Sequence, residues 1–152
     1  VALLEHEQWQ VRQSAAWALG ELGAGADPLL ALLHSGEPWG QVTRTAAEAL
    51  ARVQDTNSLV SALGDRDWSL RWETAKGIAR TGRANAEIID ALRKAAIDPR
   101  GNVPAPQCGA VEALLAVGVP RADVQALLEE ALASASDDNF AKNLRYCLRD
   151  LG

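Results

Sequence analysis

Apolar residues recur along this chain at helical spacing, and the same stretch returns five times. Val11, Ala15, Leu19 and Leu22 form one stripe of a 3.6-residue period, with polar residues on the other side. Leu70, Thr74 and Ile78 hold the matching positions in a later copy. The copies are VRQSAAWALGELG, VTRTAAEALARVQ, LRWETAKGIARTG, PQCGAVEALLAVG and FAKNLRYCLRDLG. They predict B helices near 11–23, 42–54, 70–82, 106–118 and 140–152, with starts 31, 28, 36 and 34 residues apart. The first three agree closely; the last two agree in spacing, small residues and the closing glycine.

Shorter amphipathic stretches fill the gaps and predict the A helices. They are Asp27–His34, Asn57–Gly64, Asn85–Ile97 and Pro120–Ala135, with Val1–Glu5 as the stump of a first one. Asp27 reads as a cap with Pro28 at the first helical position. No run alternates with period two, so strands are not expected. Ala15, Ala16, Ala18, Ala46, Ala47, Ala49, Ala75 and Gly77 would let neighbouring helices approach closely. Gly23, Gly82 and Gly118 suit left-handed helix stops. Trp9, Trp39 and Trp68 recur in the turns before the first three B helices and are expected to pack there. Asp98–Gln107, with three prolines, reads as a surface loop, with a contact loop or lid as the alternative.

Composition narrows the classes of function. Hydrophobic residues are 48% and charged residues 23% of 152, as in an ordinary folded protein. No apolar run is long enough for a bilayer, and the first residues carry no signal-peptide pattern. A chain that begins at Val1 and holds no methionine reads as a trimmed domain or processed fragment, which leaves a lost leader open. The net charge of −5 disfavours nucleic acid unless a basic face is concentrated. Two distant cysteines, Cys108 and Cys147, do not make a disulfide framework, and with His6 and His34 they offer no zinc spacing. Glu5-His6-Glu7 reads as surface rather than metal site, because adjacent helical residues diverge. No nucleophile triad, Walker loop or GxGxxG string occurs, and neither cofactor nor metal is expected. Asp65-Arg66-Asp67 reads as a capped and braced turn.

The VRQSAAWALGELG string, with acidic turns before it and a period near 31, resembles the HEAT-like repeat of the phycobilisome-lyase type. The resemblance covers essentially the whole chain. It implies an all-α, right-handed α-solenoid of about five helical hairpins in one domain over 1–152. It also implies that the B helices line the concave side and that Arg12 and Arg71 brace the turn acids. Thr43 departs from the pattern, as do Pro106-Gln107 and Phe140-Ala141, so looser packing is expected towards the C-terminus. The family includes scaffolds, regulators and bilin lyases, so the repeat points to a fold more than to an activity.

On that geometry three rows of side chains cross the concave face. They are Gln13, Arg44, Trp72, Cys108 and Lys142; then Trp17, Glu48, Lys76, Glu112 and Tyr146; then Glu21, Arg52, Arg80, Ala116 and Asp150. The five B segments hold nine basic and five acidic residues, so the remainder carries −9 of the net −5. A mildly basic inner face favours an acidic partner. Trp17 and Trp72 are the sharpest signals, since Trp and Arg mark binding hot spots; the alternative lays both flat on neighbouring helices. The expected function is a non-enzymatic scaffold for a protein or peptide, with Trp17, Arg44, Arg52, Trp72, Lys76, Arg80 and Tyr146 as contacts. The alternative implied by the resemblance is a bilin lyase or lyase subunit; a nucleic-acid binder is remoter. Cys108 falls on an outward row and reads as a small semi-buried residue, with a free thiol open to modification or to a bilin as the alternative; Cys147 reads as core. A cytoplasmic location is expected. Solenoid ends need caps, so the chain belongs to a longer array or its ends self-associate.

Overall fold

The computed structural model describes residues 2–152. A 3₁₀ turn over Ala2–Glu5 is followed by α1 (Trp9–Leu22), α2 (Ala26–His34), α3 (Gly40–Val53), α4 (Thr56–Leu63) and α5 (Trp68–Thr81). Then come α6 (Ala86–Ala96), α7 (Ala105–Ala116), α8 (Arg121–Ser134) and α9 (Asp138–Leu151). No strand occurs among the described residues. The odd-numbered helices are the predicted B helices. They stack in sequence, α1 on α3, α3 on α5, α5 on α7 and α7 on α9, while the even-numbered helices form the second layer. This is an α-solenoid of helical hairpins.

The helix starts differ from the sequence reading. α1, α3, α5 and α9 begin two residues before the apolar stripe and α7 one residue before. Asp67 and Asp137 supply caps at α5 and α9, accepting from Ser69 N at 2.8 Å and Phe140 N at 2.7 Å. Asp27 is not a cap: α2 starts at Ala26 behind a left-handed Gly25, and Asp27 lies in its first turn. α4 starts at Thr56, capped by Asp55. Asn85 caps α6 as its sequence predicts. Of the predicted left-handed stops, Gly23 and Gly82 have φ of 63° and 62°, and Gln54 takes the same conformation at the end of α3.

The core runs along the seam between the layers. Leu29, Leu50, Leu59, Ile78, Ile88, Leu92, Leu114, Leu128 and Leu144 are fully buried there. Close approach between B helices depends on missing side chains. A Cβ on Gly77 would lie 2.5 Å from the Ala47 carbonyl oxygen, and one on Gly20 would lie 2.8 Å from Ala49 Cα. α3 therefore meets α1 and α5 nearly backbone to backbone.

The repeat arginines brace the turns, each differently. Arg12 takes Glu37 in a two-pronged pair, Nε to Oε2 at 2.7 Å and Nη2 to Oε1 at 2.8 Å, and also donates to the His6 and Glu7 carbonyls. Arg71 is buried and donates to the Asp65, Arg66 and Arg100 carbonyls rather than to a turn acid. Gln107 stands in the arginine position of the fourth unit and donates to the Asp98 carbonyl at 2.7 Å. The Asp98–Gln107 segment is thus pinned: Arg100 also grips Asp98 and donates to the Gly64 carbonyl at 3.1 Å.

Hydrogen bonding by Arg12 holds the Glu37 carboxyl below its ordinary value of 4.5. A carboxylate with a depressed folded-state pKa stabilises above its unfolded value and loses that contribution as pH falls. The stability of wild type should therefore fall below pH 4.5 more steeply than that of Glu37→Gln, which starts lower at neutral pH. Urea melts across that range are the check, and parallel curves would remove Glu37 from the acid response.

Candidate functional site

The candidate face is made by the B-helix positions that do not reach the seam. Trp17 projects from α1 with 54% of its surface exposed. Arg44 on α3 and Arg80 on α5 are exposed, and neither makes an ion pair or side-chain hydrogen bond among the described residues. Two other predicted contacts are engaged internally. Arg52 bridges Glu21 on α1 and Glu48 on its own helix, the latter at 2.8 Å. Lys76 on α5 pairs with Glu112 on α7. Arg44, Lys76 and Arg80 all act on Glu73, a half-buried carboxylate on α5. Burial nonetheless holds the Glu73 carboxyl above its ordinary value, outweighing those cations.

Two hollows divide this face. One, of about 560 Å³, lies over the C-terminal ends of α1, α3 and α5. Its walls include Glu21, Glu48, Arg52, Arg80 and Arg83. The sequence reading missed Arg83 because it sits in the turn after α5, outside the repeat window. Cations at helix C-termini offset the partial negative charge there, so these arginines suit that position before any ligand arrives. The second hollow, of about 470 Å³, lies between α5, α7 and α9. Trp72 and Tyr146 wall it, with Leu115, Glu112 and Asp150.

Trp72 is half-buried rather than fully outward, because Gly109 on α7 leaves room for its ring: a Cβ there would lie 2.9 Å from Trp72 Cδ1. Tyr146 is 44% exposed, and the Arg149 guanidinium sits 4.9 Å over its ring. The predicted contacts are therefore divided: Arg52 and Arg80 line the first hollow, Trp72 and Tyr146 line the second, and Trp17, Arg44 and Lys76 line neither.

Cys108 is not a free thiol. It is bonded to Cys147, with the two Cα atoms 5.3 Å apart across the α7–α9 joint. Adjacent B helices each carry one cysteine, and the stacking brings them to disulfide distance. Cys147 is core, as expected, at 1% exposure. The recurrent tryptophans also differ from expectation. Trp9 packs against the core and stacks on Trp39 at 5.7 Å, but Trp39 and Trp68 stay about half exposed along the turn edge. His6 Nδ1 accepts from Gln8 N at 3.1 Å, and no group of three or more His, Cys, Asp or Glu among the described residues converges on a metal position. Among the described residues no helix is long and apolar enough to cross a membrane.

Fold and surface together define a helical-repeat protein with an open, charged and aromatic face along its B helices. Residues 1–59 match the family described as HEAT repeats, which supports a HEAT-like repeat protein. No curated protein matches the chain. Among solved structures, it is similar to a crystal structure of an engineered protein at 23% identity, with a TM-score of 0.46, covering 99% of this chain and 78% of the other. A second crystal structure of an engineered protein is similar at 15% identity and a TM-score of 0.31, covering 99% and 94%.

Proposed function

We propose that the protein is a binding scaffold whose concave face holds an acidic peptide or protein segment. The observation that carries this reading is that Trp17, Arg44 and Arg80 are all exposed on the B helices, the two arginines without ion-pair partners among the described residues. Long-range attraction steers an acidic segment to the arginines, and an exposed indole adds contact area. Glu73 works against such a ligand and limits how many carboxylates the centre accepts. The Arg52 and Lys76 ion pairs fix the floor rather than reach for a ligand. The finer likeness, to the phycobilisome-lyase type of repeat, belongs with this proposal. A tetrapyrrole that changed its absorbance on mixing would move the reading to a lyase.

The test is fluorescence anisotropy with labelled Asp/Glu-rich peptides against Lys/Arg-rich peptides of matched hydrophobicity. Acidic peptides should bind more tightly, and more weakly as salt rises. Trp17→Ala should weaken binding by about tenfold or more, and Arg44→Ala or Arg80→Ala by several-fold each. Glu73→Gln should tighten it. Equal affinity for both peptide classes, or unchanged affinity in the Trp17→Ala/Arg80→Ala double variant, would overturn the proposal.

A further inference from the structure

The α7–α9 joint differs from every other joint in the stack. α1–α3, α3–α5 and α5–α7 meet over long fronts, whereas α7 and α9 touch over a short one. The second layer is continuous from α2 through α4 to α6, but α8 packs chiefly on α9. A further hollow of about 320 Å³ opens beneath this hairpin, between Ile97, Leu127 and Phe140. The last hairpin is therefore the least well held part of the solenoid by packing, and it is the part joined covalently to its neighbour, through Cys108 and Cys147. Both cysteines line the open hollow that Trp72 and Tyr146 wall. Cys108 is partly exposed there, while Cys147 is buried.

We infer that the Cys108–Cys147 bond is a redox-operated clamp: oxidised, it holds the α8–α9 hairpin against α7 and fixes the shape of the Trp72–Tyr146 hollow; reduced, it releases the hairpin and opens the hollow. The reductant is a small dithiol or a dithiol protein. Its thiolate attacks the accessible Cys108 Sγ, the S–S bond breaks, and the electron pair leaves on Cys147 Sγ, which takes a proton from water. The second thiolate of the reductant then attacks its own sulfur in the mixed disulfide. Cys108 leaves as a thiolate that takes a proton from water, and the reductant leaves as its disulfide, so two electrons have passed to the protein. Reducing compartments keep such pairs open and oxidising ones keep them closed, so the hollow reports the thiol poise around it. That this changes ligand binding rests on the concave-face reading above; the release of the hairpin does not.

The test uses the full chain and needs no ligand, so it can fail independently of the binding proposal. Air-oxidised protein, denatured and treated with iodoacetamide, should take up no label until dithiothreitol is added, and then two. Amide hydrogen exchange is next compared before and after reduction. Residues 121–151 should exchange about tenfold faster or more in the reduced protein, with a much smaller change across α3 and α5. A Cys108→Ala/Cys147→Ala variant should reproduce the reduced pattern and ignore dithiothreitol. Two thiols labelled before reduction, or an exchange increase that is absent or uniform along the chain, would overturn the inference.

Discussion

Gly77→Ala should lower the unfolding free energy by about 3 kcal/mol, the upper part of the range for overpacking a close-fitted site. Alanine has the better helix propensity by about 1 kcal/mol, so intrinsic preference alone predicts a gain. Geometry reverses the sign. The added methyl would sit 2.5 Å from the Ala47 carbonyl oxygen and 2.7 Å from its carbon. These are backbone atoms of a packed helix, with no rotamer to yield, so α3 and α5 must separate along their length. Separation also loosens Ala46, Leu50 and Ile78, all fully buried. Gly40→Ala is the matched control, since nothing lies within 4 Å of a Cβ there, and it should stay within about 0.5 kcal/mol of wild type. Urea denaturation of both variants checks the contrast. A Gly77→Ala protein as stable as wild type would mean the B helices can slide apart freely.

Breaking the Cys108–Cys147 bond should cost the last hairpin about 4 kcal/mol of local stability, from the chain-entropy estimate for a closed loop of this length, while the stack from α1 to α5 keeps its own. The two residues are 39 apart in sequence, and the enclosed segment holds most of α7, all of α8 and most of α9. In the oxidised protein the unfolded chain keeps that loop closed and has less entropy to gain. Guanidinium melts with and without dithiothreitol measure the difference, and a protein that melts identically in both states contradicts it. The loss should exceed that from cutting any surface ion pair, because pairs such as Lys94–Asp90 are solvated and screened.

The architecture was legible because stacking imposes a repeated demand. Each B helix must present one apolar stripe to the seam and small residues to its neighbours, so Ala and Gly recur where helices touch. Helix starts were less legible. The two residues before each stripe, such as Trp68-Ser69, lie outside the apolar pattern, yet Asp67 caps a helix that includes them. The pairing of charges was half legible. The rows placed Glu21 beside Arg52 and Lys76 beside Glu112, and these are the ion pairs that form, but reading the rows as free surface hid it. Cys108 lies on an outward row and Cys147 at a core position, so only the approach of α9 to α7 reveals their bond. Gln107 replaces an arginine yet keeps the bond to the preceding turn, so the departure in the fourth unit changes less than its sequence implies.

The staple across the last joint also sets how the molecule answers a pull. Tension applied through the two chain ends draws a solenoid out hairpin by hairpin. Here the 39-residue span between the bonded cysteines lies off the load path. At about 3.5 Å per extended residue, roughly 130–140 Å of chain stays stored while the bond is closed and becomes available when it opens. The oxidised protein is the shorter tether, and a dithiol lengthens it without touching any other repeat.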